Sequence, residues 1–257
     1  MSKNKHSERS FQLLTDKSSF TTIESYKTTR TNLMFKLLNS DKKTVVFTSA
    51  QAHEGKTTVC INLAVTFAQA GSRVLIIDAD MRCPSVHRYL KTQSTPGLSD
   101  KIGGFAEDKA CVYRTVVDNL FVMPAGTLPP NPAELLLSNR MDSFLEVFTN
   151  SFDYVFIDAP PVGLLTDAAI IGSKCDGVVF VCRQRFSHKA QLRKSLEALR
   201  QVGANLFGFV LNDSSDAFDK RLSGRHYRGY SKYYYDSYAA SSKSRHAADS
   251  EDINDND

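Results

Sequence analysis

Apolar residues fall in short strand-length runs separated by stretches with helical spacing, and this alternation continues from about residue 22 to residue 211. Over residues 22–39, Ile23, Tyr26, Met34, Phe35, Leu37 and Leu38 gather mainly on one side of a helix, with Thr21 or Thr22 as its cap. Thr44-Val45-Val46-Phe47-Thr48 is a β-branched strand run, and residues 59–70 return to the pattern of an amphipathic helix, with Gly71 suited to its end. Arg73-Val74-Leu75-Ile76-Ile77-Asp78-Ala79-Asp80 reads as a fully buried parallel strand that runs on past Asp78. The pattern over residues 98–116 is weak and helix-like, and residues 119–126 form a short strand entering a turn. Asn131-Pro132-Ala133-Glu134 supplies a cap, a proline at the first helical position and an acid in the first turn. A further helix over residues 141–149 leads to a second buried run, Tyr154-Val155-Phe156-Ile157-Asp158. Helix 166–174, strand 177–182, helix 187–202 and strand 206–211 complete the series. Such βαβα alternation predicts an α/β fold with a doubly wound, mostly parallel sheet.

Both ends depart from this pattern. Residues 1–20 are polar and are expected to be mobile, although Phe11, Leu13 and Leu14 offer apolar surface for docking. Residues 213–257 have no core periodicity and are expected to form a flexible tail, so the folded domain spans residues 21–212. In the tail, Lys220, Arg221, Arg225, Arg228 and Lys232 interleave with Tyr227, Tyr230, Tyr233, Tyr234, Tyr235 and Tyr238, before a polar and then acidic end. Read by itself, this segment fits a low-complexity tail or one that stacks on single-stranded nucleic acid.

Composition narrows the classes. At 257 residues and 42% hydrophobic content the chain can bury one α/β core with something to spare. A formal charge of +4 is too slight to argue for nucleic acid. Cys60, Cys83, Cys111, Cys175 and Cys182 lack the paired spacings of a zinc site or disulfide framework, which points to a reducing cytoplasm. No apolar run approaches the roughly 20 residues of a membrane helix, and the N-terminus has no signal-peptide core.

The chemistry begins at Ser49-Ala50-Gln51-Ala52-His53-Glu54-Gly55-Lys56-Thr57-Thr58, between the first strand and the helix that follows. A strand, a loop ending in Gly-Lys-Thr and a helix make a phosphate site of the P-loop type. Gly55 lets backbone N–H groups close on the phosphates, Lys56 brings positive charge to the β/γ oxygens, and the Thr57 hydroxyl suits Mg²⁺. Ala50 stands where the usual pattern has its first glycine. Asp78 and Asp80 are expected to share one side of their strand at the carboxyl edge, where two carboxylates hold Mg²⁺ or take a proton; alternatively they cap the loop that follows. Asp158 ends its strand in the form of a Walker B aspartate.

Taken together, the deviant phosphate loop, the two acidic strands and the C-terminal tyrosines resemble the bacterial tyrosine kinases of polysaccharide biosynthesis, the capsular CpsD/CapB type. The resemblance runs from about Glu24 to the tail and includes Pro124-Ala125-Gly126 and residues 130–136. It implies ATP and Mg²⁺ as cofactors, Lys56 on the phosphates, Thr57, Asp80 and Asp158 on Mg²⁺, Asp78 as receiver of the tyrosine proton, and Asn212 at the adenine. It also implies autophosphorylation of the six tail tyrosines, one subunit's tail entering its neighbour's site in a ring that is octameric in relatives. The ring motif Glu-x-x-Arg-x-x-Arg appears here as Glu24, Lys27 and Arg30, and Lys27 keeps the charge but loses the planar fork of an arginine. A separate transmembrane activator of the polysaccharide co-polymerase type, holding the kinase at the inner membrane face, and a cognate tyrosine phosphatase are the implied partners, with control of capsule or exopolysaccharide synthesis and export as the role. Nucleic acid is not among the implied partners.

The competing reading is a positioning ATPase of the ParA/MinD kind, which shares the phosphate loop. Its signature lysine falls at the position held here by Gln51. That difference and the tyrosine tail separate the two.

Overall fold

The computed structural model describes residues 13–213. The expected phosphoacceptors Tyr227, Tyr230, Tyr233, Tyr234, Tyr235 and Tyr238 lie outside the described residues.

Among the described residues, seven strands form one sheet: β1 (Thr44–Ser49), β2 (Val74–Asp78), β3 (Tyr113–Arg114), β4 (Leu120–Met123), β5 (Tyr154–Asp158), β6 (Gly177–Arg183) and β7 (Leu206–Asn212). Their order is β3-β4-β2-β5-β1-β6-β7, and every pair is parallel except β3 with β4. The described residues also form eight α-helices, α1 leading into β1 and the rest lying between strands: α1 (Phe20–Leu37), α2 (Lys56–Gln69), α3 (Val86–Leu90), α4 (Leu98–Gly103), α5 (Pro132–Leu137), α6 (Asn139–Ser151), α7 (Asp167–Gly172) and α8 (Lys189–Gln201). This is the doubly wound arrangement expected from the alternation.

Successive strand residues point to opposite faces, so each strand feeds two cores. Val46, Leu75, Ile77, Val155, Ile157 and Phe180 join one core with Met141, Phe144 and Phe148 of α6 and Ile171 of α7. Val45, Phe47, Ile76, Phe156 and Val181 join the other, with Leu33 and Leu37 of α1 and Val59, Leu63 and Phe67 of α2. Phe67 packs edge-on against both Tyr154 and Phe156, at 4.6 and 5.2 Å between ring centres.

Several local expectations are corrected. Ser19 caps α1, because Phe20 is already helical and the Ser19 hydroxyl accepts the Thr22 N–H at 3.2 Å; neither Thr21 nor Thr22 is the cap. The second helix is not amphipathic. Residues from Val59 to Ala68 are buried on all sides, since α1 covers the face that would otherwise meet water. Asn131 holds the cap position of α5 without a capping bond, and its side-chain amide instead donates to Glu134 at 3.3 Å. Within the weak region, α4, a 3-10 turn at Asp108–Ala110 and the antiparallel β3 replace a single helical stretch. The second strand stops at Asp78, because the chain turns there to bring the Asp80 N–H onto the Asp78 carboxylate. Ahead of α1, Leu14 is 5% exposed and its N–H donates to the Asn62 side chain at 2.9 Å.

Candidate active site

Four adjacent strands bring the site together at their carboxyl ends: β2, β5, β1 and β6. The central β1 ends at Ser49, the phosphate loop follows, and Lys56, Thr57 and Thr58 open α2. His53 and Gly55 have positive φ, 65° and 91°, within an otherwise right-handed or extended loop. Alternating the sign of φ turns consecutive N–H groups toward one concavity, the shape that binds an anion. Thr58 sits in the first turn of α2, whose free N–H groups and positive dipole end face the same place. Ala50, at the place of the usual first glycine, is 1% exposed, and Gly163 in the loop after β5 packs closely on it: a Cβ there would lie 2.3 Å from the Ala50 carbonyl oxygen.

Lys56 Nζ lies 3.1 Å from Asp80 Oδ2 and 3.4 Å from Asp158 Oδ1, and the Thr57 hydroxyl donates to Asp158 Oδ2 at 2.6 Å. Residues from three separate parts of the chain thus meet within hydrogen-bond reach. Burial alone would pull the Lys56 ammonium down, but Asp158, Asp80 and Asp78 together raise it above the ordinary lysine value. Burial raises Asp158, with Lys56 and the Thr57 hydroxyl working against it. Burial first, and then the charge of Asp158, pushes the Asp78 carboxyl up to about 7.

Asp78 and Asp80 do different work. Asp78 is fully buried, and its Oδ2 accepts the N–H groups of Ser85 and Val86 at 2.9 and 3.0 Å, so it caps the following loop as one of the two expectations had it. Asp80, off the end of the strand, turns to Lys56 and accepts the Cys83 N–H at 3.1 Å. Their expected common side rested on a continuous strand, which the turn after Asp78 removes.

Asn212 is the last residue of β7 rather than the residue beyond it, and its side-chain amide donates to the Glu54 carbonyl at 3.1 Å. Gln51 receives the Ser49 hydroxyl on its carbonyl at 2.7 Å. Ala52 and His53 form the exposed tip of the loop.

Glu24, Lys27 and Arg30 stand apart from this centre. Lys27 pairs with Glu24 at 2.9 Å on the exposed face of α1, while Arg30 turns inward and donates to the Thr66 carbonyl at 2.7 Å. Thr66 is near the far end of α2, about 15 Å along the axis from Lys56.

Some site residues carried no signal of their own. Ser85 lies 3.4 Å from the Thr57 hydroxyl. Ser187, in the loop after β6, donates to the Glu54 carboxylate in the loop after the neighbouring β1. Arg82, two residues past Asp80, donates from Nε to Asp167 at 3.1 Å, and Asp167 is fully buried at the start of α7. Arg82 shares the loop of Asp80 and so lies beside a motif residue in sequence; Ser187 and Asp167 are tied in only by distant contacts. Removing the guanidinium leaves the Asp167 carboxylate short of its charge-assisted partner. Arg82→Ala is expected to lower stability by about 1–2 kcal/mol, discounted because Arg82 is 41% exposed, and urea unfolding reads the loss.

The donor set fits a nucleotide and Mg²⁺. A hydroxyl and one or two carboxylates are the protein share of a typical Mg²⁺ shell, phosphate oxygens and water supplying the rest. The fold and this site define a P-loop ATPase, and the AAA domain family matches residues 27–206. The chain is 38% identical over 207 residues to the tyrosine-protein kinase YwqD of Bacillus subtilis, covering 80% of this chain and 85% of that one. It is 36% identical to the tyrosine-protein kinase CpsD of Streptococcus agalactiae, over 76% of this chain and 85% of CpsD. Against the tyrosine-protein kinase Wzc of Salmonella typhi, 35% identity extends over 84% of this chain but spans only 29% of the longer relative. Among solved structures, the chimerical protein CapA2B2 superposes with a TM-score of 0.72 at 33% identity, covering 75% of this chain and 85% of that one. The kinase domain of Escherichia coli ETK gives 0.71 at 30%, over 75% and 77%. The cell division ATPase MinD of Pyrococcus furiosus follows at 0.57 and 26%, over 68% and 74%. The chain belongs to the bacterial tyrosine-protein kinases, a family built on the same P-loop fold as MinD.

Proposed function

We propose that this chain transfers the γ-phosphoryl group of ATP to tyrosine hydroxyls, with its own tail residues Tyr227, Tyr230, Tyr233, Tyr234, Tyr235 and Tyr238 as the acceptors. The observation that carries this reading is the convergence of Lys56, Thr57, Asp80 and Asp158 at one carboxyl edge. In the transfer, the tyrosine oxygen bonds to the γ-phosphorus, the bond to the ADP oxygen breaks, and the tyrosine proton passes to a carboxylate. Lys56 holds the β/γ oxygens, and Thr57, Asp80 and Asp158 hold Mg²⁺. When bound, Mg²⁺ neutralises charge on the phosphates. Such a transfer asks the protein mainly for position and charge. Asp78 is the proposed proton acceptor: the Ser85 and Val86 N–H groups fix its carboxylate in place beside the cluster, and a phenol of pKa about 10 needs such a group to take its proton.

Transfer takes place between subunits of a ring held in part by Glu24, Lys27 and Arg30, the octamer of the family resemblance. Each added phosphate brings about −1.5 to −2 charge to the crowded tails, which favours ring disassembly. None of the helices among the described residues is long and apolar enough to cross a membrane. A transmembrane activator that recruits the chain to the inner membrane face, and a cognate phosphatase that resets the tail, complete the cycle, which governs capsule or exopolysaccharide synthesis and export.

The test is incubation of the purified chain with Mg²⁺ and ATP, with and without the activator's cytoplasmic segment, followed by phosphosite mapping. The six tail tyrosines are expected to carry the label, and replacing all six by Phe is expected to leave ATP binding intact while removing most phosphotyrosine. Nucleotide hydrolysis with no labelled tyrosine under either condition would replace this reading with a MinD-like switch, and label concentrated on Tyr89 or Tyr154 would remove the tail as acceptor.

A further inference from the structure

The phosphate loop is held in its shape from outside, and the holding point is a carboxylate. Glu54 is 1% exposed, and neither of its oxygens faces the concavity unbound. Oε2 accepts the Gln51 N–H at 2.9 Å, while Oε1 accepts the Ser187 hydroxyl in a very short contact. The Ser187 oxygen in turn accepts the Arg183 N–H at 2.8 Å, so the serine is fixed by the end of β6. Two further bonds reach the same loop from the same side: Arg183 Nη1 to the His53 carbonyl at 3.3 Å, and the Asn212 amide to the Glu54 carbonyl at 3.1 Å.

This loop needs such support. A non-glycine residue in the left-handed region, as His53 is at φ 65°, costs about 1–2 kcal/mol, and such strain persists only where neighbouring bonds over-determine it. A carboxylate beside a phosphate site also opposes the charge of the incoming ligand. Placing one there is favourable only if its hydrogen bonds do something a neutral apolar residue cannot.

We propose that Glu54 is a positioning residue: with Ser187 it clamps the anion-binding form of the phosphate loop to the end of β6, and so sets the affinity for a nucleoside diphosphate or triphosphate. The proposal rests on the reading of this loop as a nucleotide site. Glu54 acts through the loop's backbone and does not itself touch the phosphates.

The full chain is titrated with a fluorescent ADP analogue and Mg²⁺ in the wild type, Glu54→Gln, Glu54→Ala, Ser187→Ala and the Glu54→Ala/Ser187→Ala double variant. Glu54→Ala is expected to weaken binding about tenfold or more, and Ser187→Ala to weaken it less. Glutamine still accepts from the Gln51 N–H through Oε1, and its amide can donate to the Ser187 oxygen, which has a lone pair to spare. Glu54→Gln is therefore expected to stay within about threefold of the wild type, and the double variant to bind no worse than Glu54→Ala alone. Tighter binding by both Glu54 variants would reveal a charge effect and overturn the clamp. Unchanged binding by Glu54→Ala, or losses that multiply in the double variant, would overturn it as well. If Glu54→Ala does not fold, Ser187→Ala decides, wild-type affinity in that variant refuting the proposal. A wild-type chain that binds no ADP analogue at all removes the nucleotide reading itself, a result distinct from any of these.

Discussion

Lys56→Met is expected to abolish the phosphotyrosine signal of the purified chain and, separately, to weaken the fold in a manner that grows with pH. The first effect follows from position, since the ammonium opens α2 at the proposed place of the phosphate oxygens and no other cation lies within the carboxylate cluster of Asp80 and Asp158 among the described contacts. An undiminished anti-phosphotyrosine signal in the variant would remove Lys56 from the mechanism. The second effect follows from burial. Asp158 is fully buried and Asp80 nearly so, and their compensating charge is Lys56, itself 12% exposed. Taking one partner from a buried pair costs about 3–5 kcal/mol, because the charge left behind has lost both water and counter-ion.

The sign of the pH dependence is fixed by the direction of the shifts. Asp78 and Asp158 titrate above the unfolded carboxylate value in the folded chain, so the native state binds more protons and stability falls as pH rises through that interval. Lys56 offsets part of this and, being raised itself, stays charged throughout the window. Its loss pushes the carboxylates higher still. The stability difference between wild type and Lys56→Met is therefore expected to be small near pH 4 and to reach its full size above about 7, the value to which Asp78 is already pushed. Urea unfolding with a chelator present and nucleotide absent, repeated at several pH values, measures it. A difference that does not vary with pH would mean that the lysine does not neutralise these acids.

Gly55→Ala is expected to remove most nucleotide binding without touching a charged group. At φ 91° the residue lies where a Cβ is strained by about 1–2 kcal/mol, and the added atom would also lie 2.0 Å from the Asn212 side-chain nitrogen. Asn212 can swing away only by giving up its bond to the Glu54 carbonyl, which loosens the loop at the point of entry into α2. Calorimetric titration with Mg²⁺ and ADP is expected to show at least about a tenfold loss. In the double variant Gly55→Ala/Asn212→Ala the clash is gone but the φ strain remains, so affinity is expected to recover only in part. Wild-type affinity in Gly55→Ala would show that the loop tolerates a side chain there and that the close approach has no functional weight.

The sequence by itself determined the strand and helix order from residue 22 to residue 80 and from residue 119 to residue 211, because apolar runs and 3.6-residue spacing are local properties that burial on two sheet faces enforces; between them, the short α3, the 3-10 turn and the two-residue β3 are too brief to leave such a period. It also determined the phosphate loop, since Gly55-Lys56-Thr57 is a contiguous segment whose chemistry is complete in the residues themselves, and it singled out Asp78, Asp80 and Asp158 by their places at strand ends. The resemblance to the capsular tyrosine kinases, carried by those residues, agrees with the family to which the chain belongs. Only the tertiary structure decided what depends on contacts between distant segments. It made α2 a wholly buried helix, because α1 covers it, and it ended β2 at Asp78, because the loop's own amides turn back onto that carboxylate. It divided the two aspartates between a loop-capping and a lysine-facing position, and it turned Arg30 onto α2 while leaving Glu24 and Lys27 outside. It joined Ser187 to Glu54 across 133 residues of chain. A hydrogen bond or an ion pair is fixed by separation in space, and spacing along a single chain carries that separation only within an element.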